Sequence, residues 1–143
     1  MTEKLCGDEL VALIKWVFRP QAHERRVAIL VDLPDEKVAD NPDWTVRRAI
    51  AAGWLDELSQ QQAALGMSVE LVLYRNAHTN NGELPERCWI HQGGELPATV
   101  AALDPERSIA FAELLASCPI LLVLSQFSAT APLKKVAKQY GYR

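Results

Sequence analysis

Asp32, Arg47, Ser125, Ser128 and Thr130 are the residues of this chain whose types and neighbours suit the holding of a small molecule. Asp32 ends the apolar run VAILV, and Ser125, Ser128 and Thr130 follow a second run, PILLVL. A carboxylate at one strand end can accept from a ligand hydroxyl or amine. Hydroxyls and free amides at a helix start beside it can donate to an anion. The same residue types are the usual helix and loop caps, so a crevice closed by its own side chains is the competing expectation. Arg47 and Arg48 fall near the start of a long predicted helix, where the macrodipole disfavours positive charge. Either Asp40 and Asp43 neutralise them, or one arginine reaches across the strand ends to an anionic ligand.

His78, Cys88 and His91 share one Gly-rich stretch, and Cys88 to His91 has the C-x-x-H spacing that a tetrahedral zinc can use. No second pair of ligands follows, so no metal is expected, and nothing marks an oxyanion hole or orienting group for a Cys/His nucleophile. VDLPDE stands after the first apolar run where a G-x-G-x-x-G loop would sit. The motif of a dinucleotide site is thereby missing there, and no cofactor is implied. Trp16, Trp44, Trp54 and Trp89 read as core or half-buried aromatics, with Trp44 the one placed for contact with a ligand or partner.

The elements that must position these groups follow from periodicity. Leu10, Val11, Ile14, Val17 and Phe18 give a first amphipathic helix, capped by Asp8 and ended by Pro20. Residues 27–31 form a short unbroken apolar run of the kind buried parallel strands show. Asp43 caps a second helix over residues 44–65, with Val46, Ile50, Trp54, Leu58 and Leu65 as its inner stripe and Gly66 at its end. Residues 69–74 form a second strand, completing a right-handed β-α-β unit. Residues 76–97 read as a long loop with at most one short strand or hairpin. A helix over 105–117, a third strand from Ile120 and a helix over 133–140, opened by Thr130 and Pro132, complete the chain. The expected fold is α/β, a three-layer Rossmann-like sandwich with a short, mostly parallel sheet of core order 2-1-3. In that order Asp32 and the Ser125 to Thr130 loop share the crevice at the carboxyl ends of the strands.

With 143 residues, 49% of them hydrophobic, the chain suits a single domain. Its three strands are few for a sheet, which points to an N-terminal domain or fragment of a longer protein. The formal net charge of −3, with dispersed lysines and arginines, gives no footprint for nucleic acid. No apolar run is long enough to span a bilayer, and the N-terminus lacks the order of a signal peptide. Three widely spaced cysteines argue against a disulfide framework, which places the protein in a reducing cytoplasm.

Residues 115–143, LASCPILLVLSQFSATAPLKKVAKQYGYR, resemble the end of the N-terminal domain of the thermophilic metallo-aminopeptidases, the group that includes aminopeptidases T and S. In that family a strand runs into a Ser-x-Thr-His-Thr segment that opens a helix, and the helix closes on Gly-x-Arg before a further strand. Ser128, Ala129, Thr130, Ala131 and Pro132 stand in the first segment, and Gly141, Tyr142 and Arg143 in the second. The family's histidine and last threonine are replaced by Ala131 and Pro132. The family's paired metal ions sit in a C-terminal domain that has no counterpart here. The resemblance therefore implies an accessory domain that shapes a cleft or an oligomer and is not catalytic alone. Two alternatives are a free-standing module that binds a small polar or anionic ligand, and an interaction domain, including a homo-oligomer, that pairs through an open sheet edge.

Overall fold

Strand β1, Arg26–Leu33, is the axis of the molecule: seven of its eight residues are buried. In the computed structural model, which describes residues 6–91 and 95–143, it lies between two parallel neighbours, β2 (Ser68–Arg75) and β5 (Ile120–Val123). Two further strands, β3 (Arg87–His91) and β4 (Ile109–Ala110), add antiparallel beyond β2 and extend the sheet to the order β4-β3-β2-β1-β5. The sheet is thus open and mixed. The N-terminal residues 1–5, part of the signal-peptide reading, and residues 92–94 of the long loop lie outside the described residues.

Strand alternation splits the core into two clusters. Val27, Ile29, Val31 and Leu33 of β1 pack with Leu71 and Leu73 of β2 against helix α1 (Gly7–Phe18) and helix α2 (Pro42–Gln60). Ala28, Leu30, Val72 and Tyr74 pack with Phe111, Leu114 and Leu115 of helix α4 (Phe111–Ser117) and with Leu133 of helix α5 (Thr130–Tyr140). Each fully buried aliphatic side chain contributes about 1.5–3 kcal/mol. The unbroken apolar run of β1 is what burial on both faces demands.

Several sequence expectations need correction. Cys6, not Asp8, precedes α1, and the Glu9 carboxylate closes its first turn by accepting from the Cys6 amide. Val17 and Trp16 turn out to solvent at 58% and 74% exposure. Asn41, not Asp43, caps α2 by accepting from the Trp44 amide at 2.9 Å, and Pro42 takes the first helical position, where its missing N–H costs nothing. The inner stripe of α2 is Trp44, Arg48, Ala51 and Leu58, while Val46 is 54% exposed. The helix also breaks at Gln61 before a four-residue turn, α3 (Gln62–Leu65). The expected helix over 105–117 starts only at Phe111. Ile109 and Ala110 instead pair with β3, because the Arg87 and Cys88 backbone offers a free edge there.

Gly66 and Gly141 close α3 and α5 with φ of 76°, a left-handed conformation that glycine adopts without steric cost. After Gly141 the chain turns back, and the Arg143 amide donates to Pro119 O while Arg143 O accepts from the Leu121 amide, both at 2.8 Å. That is the bond pattern of one parallel bridge on the outer edge of β5.

Candidate functional site

The carboxyl ends of β1, β2 and β5 bring three loops together, and Asp32 is their hub. Its side chain is buried, and its two oxygens accept from the amides of Gln126 at 2.7 Å and Phe127 at 3.2 Å, directly after β5. Burial pushes the Asp32 carboxyl above its ordinary value, and the two amides pull against that shift without cancelling it. The Asp32 carbonyl accepts from the indole N–H of Trp44 at 2.9 Å. The Trp44 ring, itself buried, meets the Phe127 ring edge-on with centroids 6.0 Å apart. Ser125 donates its hydroxyl to Phe127 O at 2.7 Å, and Arg47 donates to the Gln126 side-chain oxygen. Arg47 therefore does reach across the strand ends, but to a neutral amide. Arg48 is the arginine neutralised by Asp40, at 2.5 Å.

The loop after β2 closes the other side. Asn81, with φ of 59°, donates its amide to Ser128 O at 2.7 Å, and its side-chain oxygen accepts from the Ala131 amide at 3.0 Å. Asn80 accepts from the Ser128 amide at 3.0 Å. The Ser128 hydroxyl lies within reach of the Asn81 side-chain oxygen and of Thr130 Oγ1. The start of α5 is thus capped from a distant loop. Thr130 is its first helical residue and does not cap it. The amides that would greet an anion are already engaged by Asn80, Asn81 and Asp32.

One group at the centre is left over. Tyr74 pairs with Asp32 across the β1–β2 ladder, so both side chains share a face, and its hydroxyl is buried without a hydrogen bond. Burial, and then the neighbouring Asp32 charge, push its phenol well above the ordinary range, while the nearby Ser125 hydroxyl, whose own proton goes to Phe127 O, pulls weakly the other way. An alternating strand pattern, read two residues beyond Val72, carries the signal that would have placed Tyr74 beside Asp32.

A second cluster lies after β1. The covered carboxylate of Asp35 accepts from Arg75 at 3.0 Å, from the Val38 amide at 2.9 Å and from the Lys37 amide at 3.0 Å, and it stands 2.7 Å from His78 Nε2. Burial alone would raise the Asp35 carboxyl, but His78 and the two amides outweigh it and hold the group well below the usual carboxylate range. His78, at φ of 66°, is anchored by the Asn76 side chain, which in turn is buried against Leu33 O. Among the described residues no hydroxyl or thiol is hydrogen-bonded to His78. The Arg75 ion pair and the His78 contact of Asp35 tie two loops together, without the nucleophile that a catalytic dyad requires.

Acid should expose this arrangement. Glu24 is held down to about 2 by hydrogen bonds from Arg143, the larger cause, and from the Gln21 amide. Asp35 is depressed as well, so both carboxyls bind protons more readily in the unfolded chain. Stability from these groups is fully present above their ordinary values near pH 4 and is lost as pH falls through that range towards 2. Denaturant midpoints between pH 6 and about pH 2.5 should fall, and the fall should be smaller in an Asp35→Ala, Glu24→Gln double variant.

Cys88 and His91 stand three residues apart on β3, so the pleat sends them to opposite faces. Cys88 packs in the core with its thiol pushed up to about 12 by burial. Among the described residues no group of three potential metal ligands gathers, and no helix is long and apolar enough to cross a membrane. Comparison of the chain with protein-family models, with curated proteins and with solved structures gives no match.

Proposed function

We propose that this chain is an accessory domain that shapes a substrate cleft or an assembly for a catalytic domain, as the resemblance to the N-terminal part of the metallo-aminopeptidases implies. The observation that carries the reading is that the crevice is shut by its own groups. Asp32 takes the Gln126 and Phe127 amides, and Asn80 and Asn81 take the amides at the start of α5. A rigid polar surface suits a domain that frames a site and does not need an open pocket of its own. The parallel pairing of Arg143 with β5 supports it as well, because the resemblance places a further strand after Gly-x-Arg. A Rossmann-like, three-layer reading with core order 2-1-3 draws support from the parallel partners of β1 and from burial on both of its faces. A reducing cytoplasm is in keeping with the free thiols of Cys6, Cys88 and Cys118.

Thermal unfolding in inorganic phosphate, acetate and free amino acids tests the proposal. A ligand at a hundred times its dissociation constant would add about 2.7 kcal/mol, or several degrees in Tm. The accessory reading expects no shift with any of them. The second reading, a free-standing ligand-binding module, is favoured by one observation, the unpartnered Tyr74 hydroxyl beside Asp32. It expects a shift that Tyr74→Phe and Ser128→Ala remove. Without a ligand, Tyr74→Phe should be neutral or slightly stabilising, since it deletes a buried group that has no partner.

A further inference from the structure

Helix α1 leaves an apolar stripe uncovered. Leu13, Trp16 and Val17 are 44%, 74% and 58% exposed, and they make up three of the five exposed large apolar side chains of the described residues. Their spacing at i, i+3 and i+4 puts them on one face of the helix, beside Leu10, Val11 and Ile14, which enter the core. Glu9 continues the same stripe one turn towards the N-terminus, at i−4 from Leu13. At the other end the guanidinium of Arg19 lies over the Trp16 ring, 5.7 Å from its centroid. The face therefore reads acid, apolar, apolar, base along the helix. An isolated Trp on a surface needs no explanation, but a contiguous apolar face ended by opposite charges is what an interface looks like.

We infer that α1 pairs with α1 of a second copy, antiparallel, about a two-fold axis between Leu13 and Trp16. The charge order selects this occupant. In an isologous antiparallel pair Leu13 of one copy meets Trp16 of the other, and Glu9 of each falls beside Arg19 of its mate, so the same face complements itself twice. A parallel pair would set Glu9 against Glu9 and Arg19 against Arg19. The contact uses one helix face, well below the roughly 800 Å² per partner of a standard stable interface, so a weak, concentration-dependent dimer follows. The pairing stands whether the domain is accessory or a module of its own.

Sedimentation velocity from about 1 µM to about 500 µM tests it, a range that spans weak association. The full chain should pass from monomer to dimer within that range. Trp16→Ala, at an exposed position where folding is not at stake, should weaken the dimer by about tenfold or more, as loss of a central aromatic does. Val46→Glu, exposed but on α2, should leave it unchanged. Arg19→Glu should weaken the dimer, and adding Glu9→Arg should restore it. A monomer throughout the range, or a dimer indifferent to Trp16→Ala, would overturn the pairing. A dimer weakened by Trp16→Ala but not restored by the charge exchange would overturn the antiparallel arrangement.

Discussion

Trp44→Ala is expected to lower the unfolding free energy by about 3–5 kcal/mol, the range for removing a large buried aromatic. In a domain of this length that corresponds to a drop of roughly 10 °C in Tm. The size of the effect follows from position. Trp44 is fully buried at the first turn of α2, it donates to the carbonyl of Asp32, and its ring supports Phe127. One side chain thus joins α2, the end of β1 and the loop after β5. Trp44→Phe separates the contributions. It keeps most of the packing and loses the indole N–H, leaving the Asp32 carbonyl short of a partner at a further cost of about 1 kcal/mol. Urea unfolding of both variants, with unchanged m values, checks the ordering.

Asp32→Ala should cost about 2–4 kcal/mol, because it strands two amides in a covered site, and hydrogen bonds to a charged acceptor are the strong kind. Asn is no substitute: its NH2 would face one of the same two amide donors. The carboxyl also has an opposite pH signature from Asp35 and Glu24. Its folded-state value is raised by burial, so it works against stability as pH rises from its ordinary value of 3.8 through the raised one. Asp32→Ala should therefore lose less stability at pH 7 than at pH 4, because the stability that the raised folded-state value confers on the wild type in acid is gone once the desolvated carboxyl has ionised. If the loss were instead under about 0.5 kcal/mol, the level of an ordinary surface change, Asp32 would not be the hub of the crevice.

Much of the α/β frame could be read from hydrophobic runs. The stretches at 27–31, 69–74 and 120–124 are short, apolar and bounded by turn residues, and each contains or overlaps a strand of the parallel core. The antiparallel β3 and β4 were harder to read. Their five and two residues carry too little alternation, and the pairing of Ile109 with Cys88 depends on an edge supplied by distant residues. The phase of α2 was misread for a related reason. Val46 is more apolar than Arg48, yet Arg48 is the buried residue, since Asp40 neutralises its guanidinium and its stem packs inward. At the site, Asp32, Arg47 and Ser125 announced themselves as polar residues at strand ends and a helix start. Asn80, Asn81 and Gln126 did not, because their roles come from loops folding across the strand ends, and no local pattern encodes that crossing; for Tyr74 the alternation of β2 gives the face, and only the pairing with β1 sets it beside Asp32.

Amide hydrogen exchange at Gln126 and Phe127 tests most directly whether the crevice is closed by its own groups. Both amides should exchange slowly, within about tenfold of the amides in the centre of β1, because each reaches solvent only when the Asp32 carboxylate lets go. In Asp32→Ala they should exchange at loop rates while β1 stays protected. Fast exchange of both amides in the wild-type chain, alongside a protected β1, would mean that the loop stands open, and it would contradict the accessory-domain account in favour of a site waiting for a ligand.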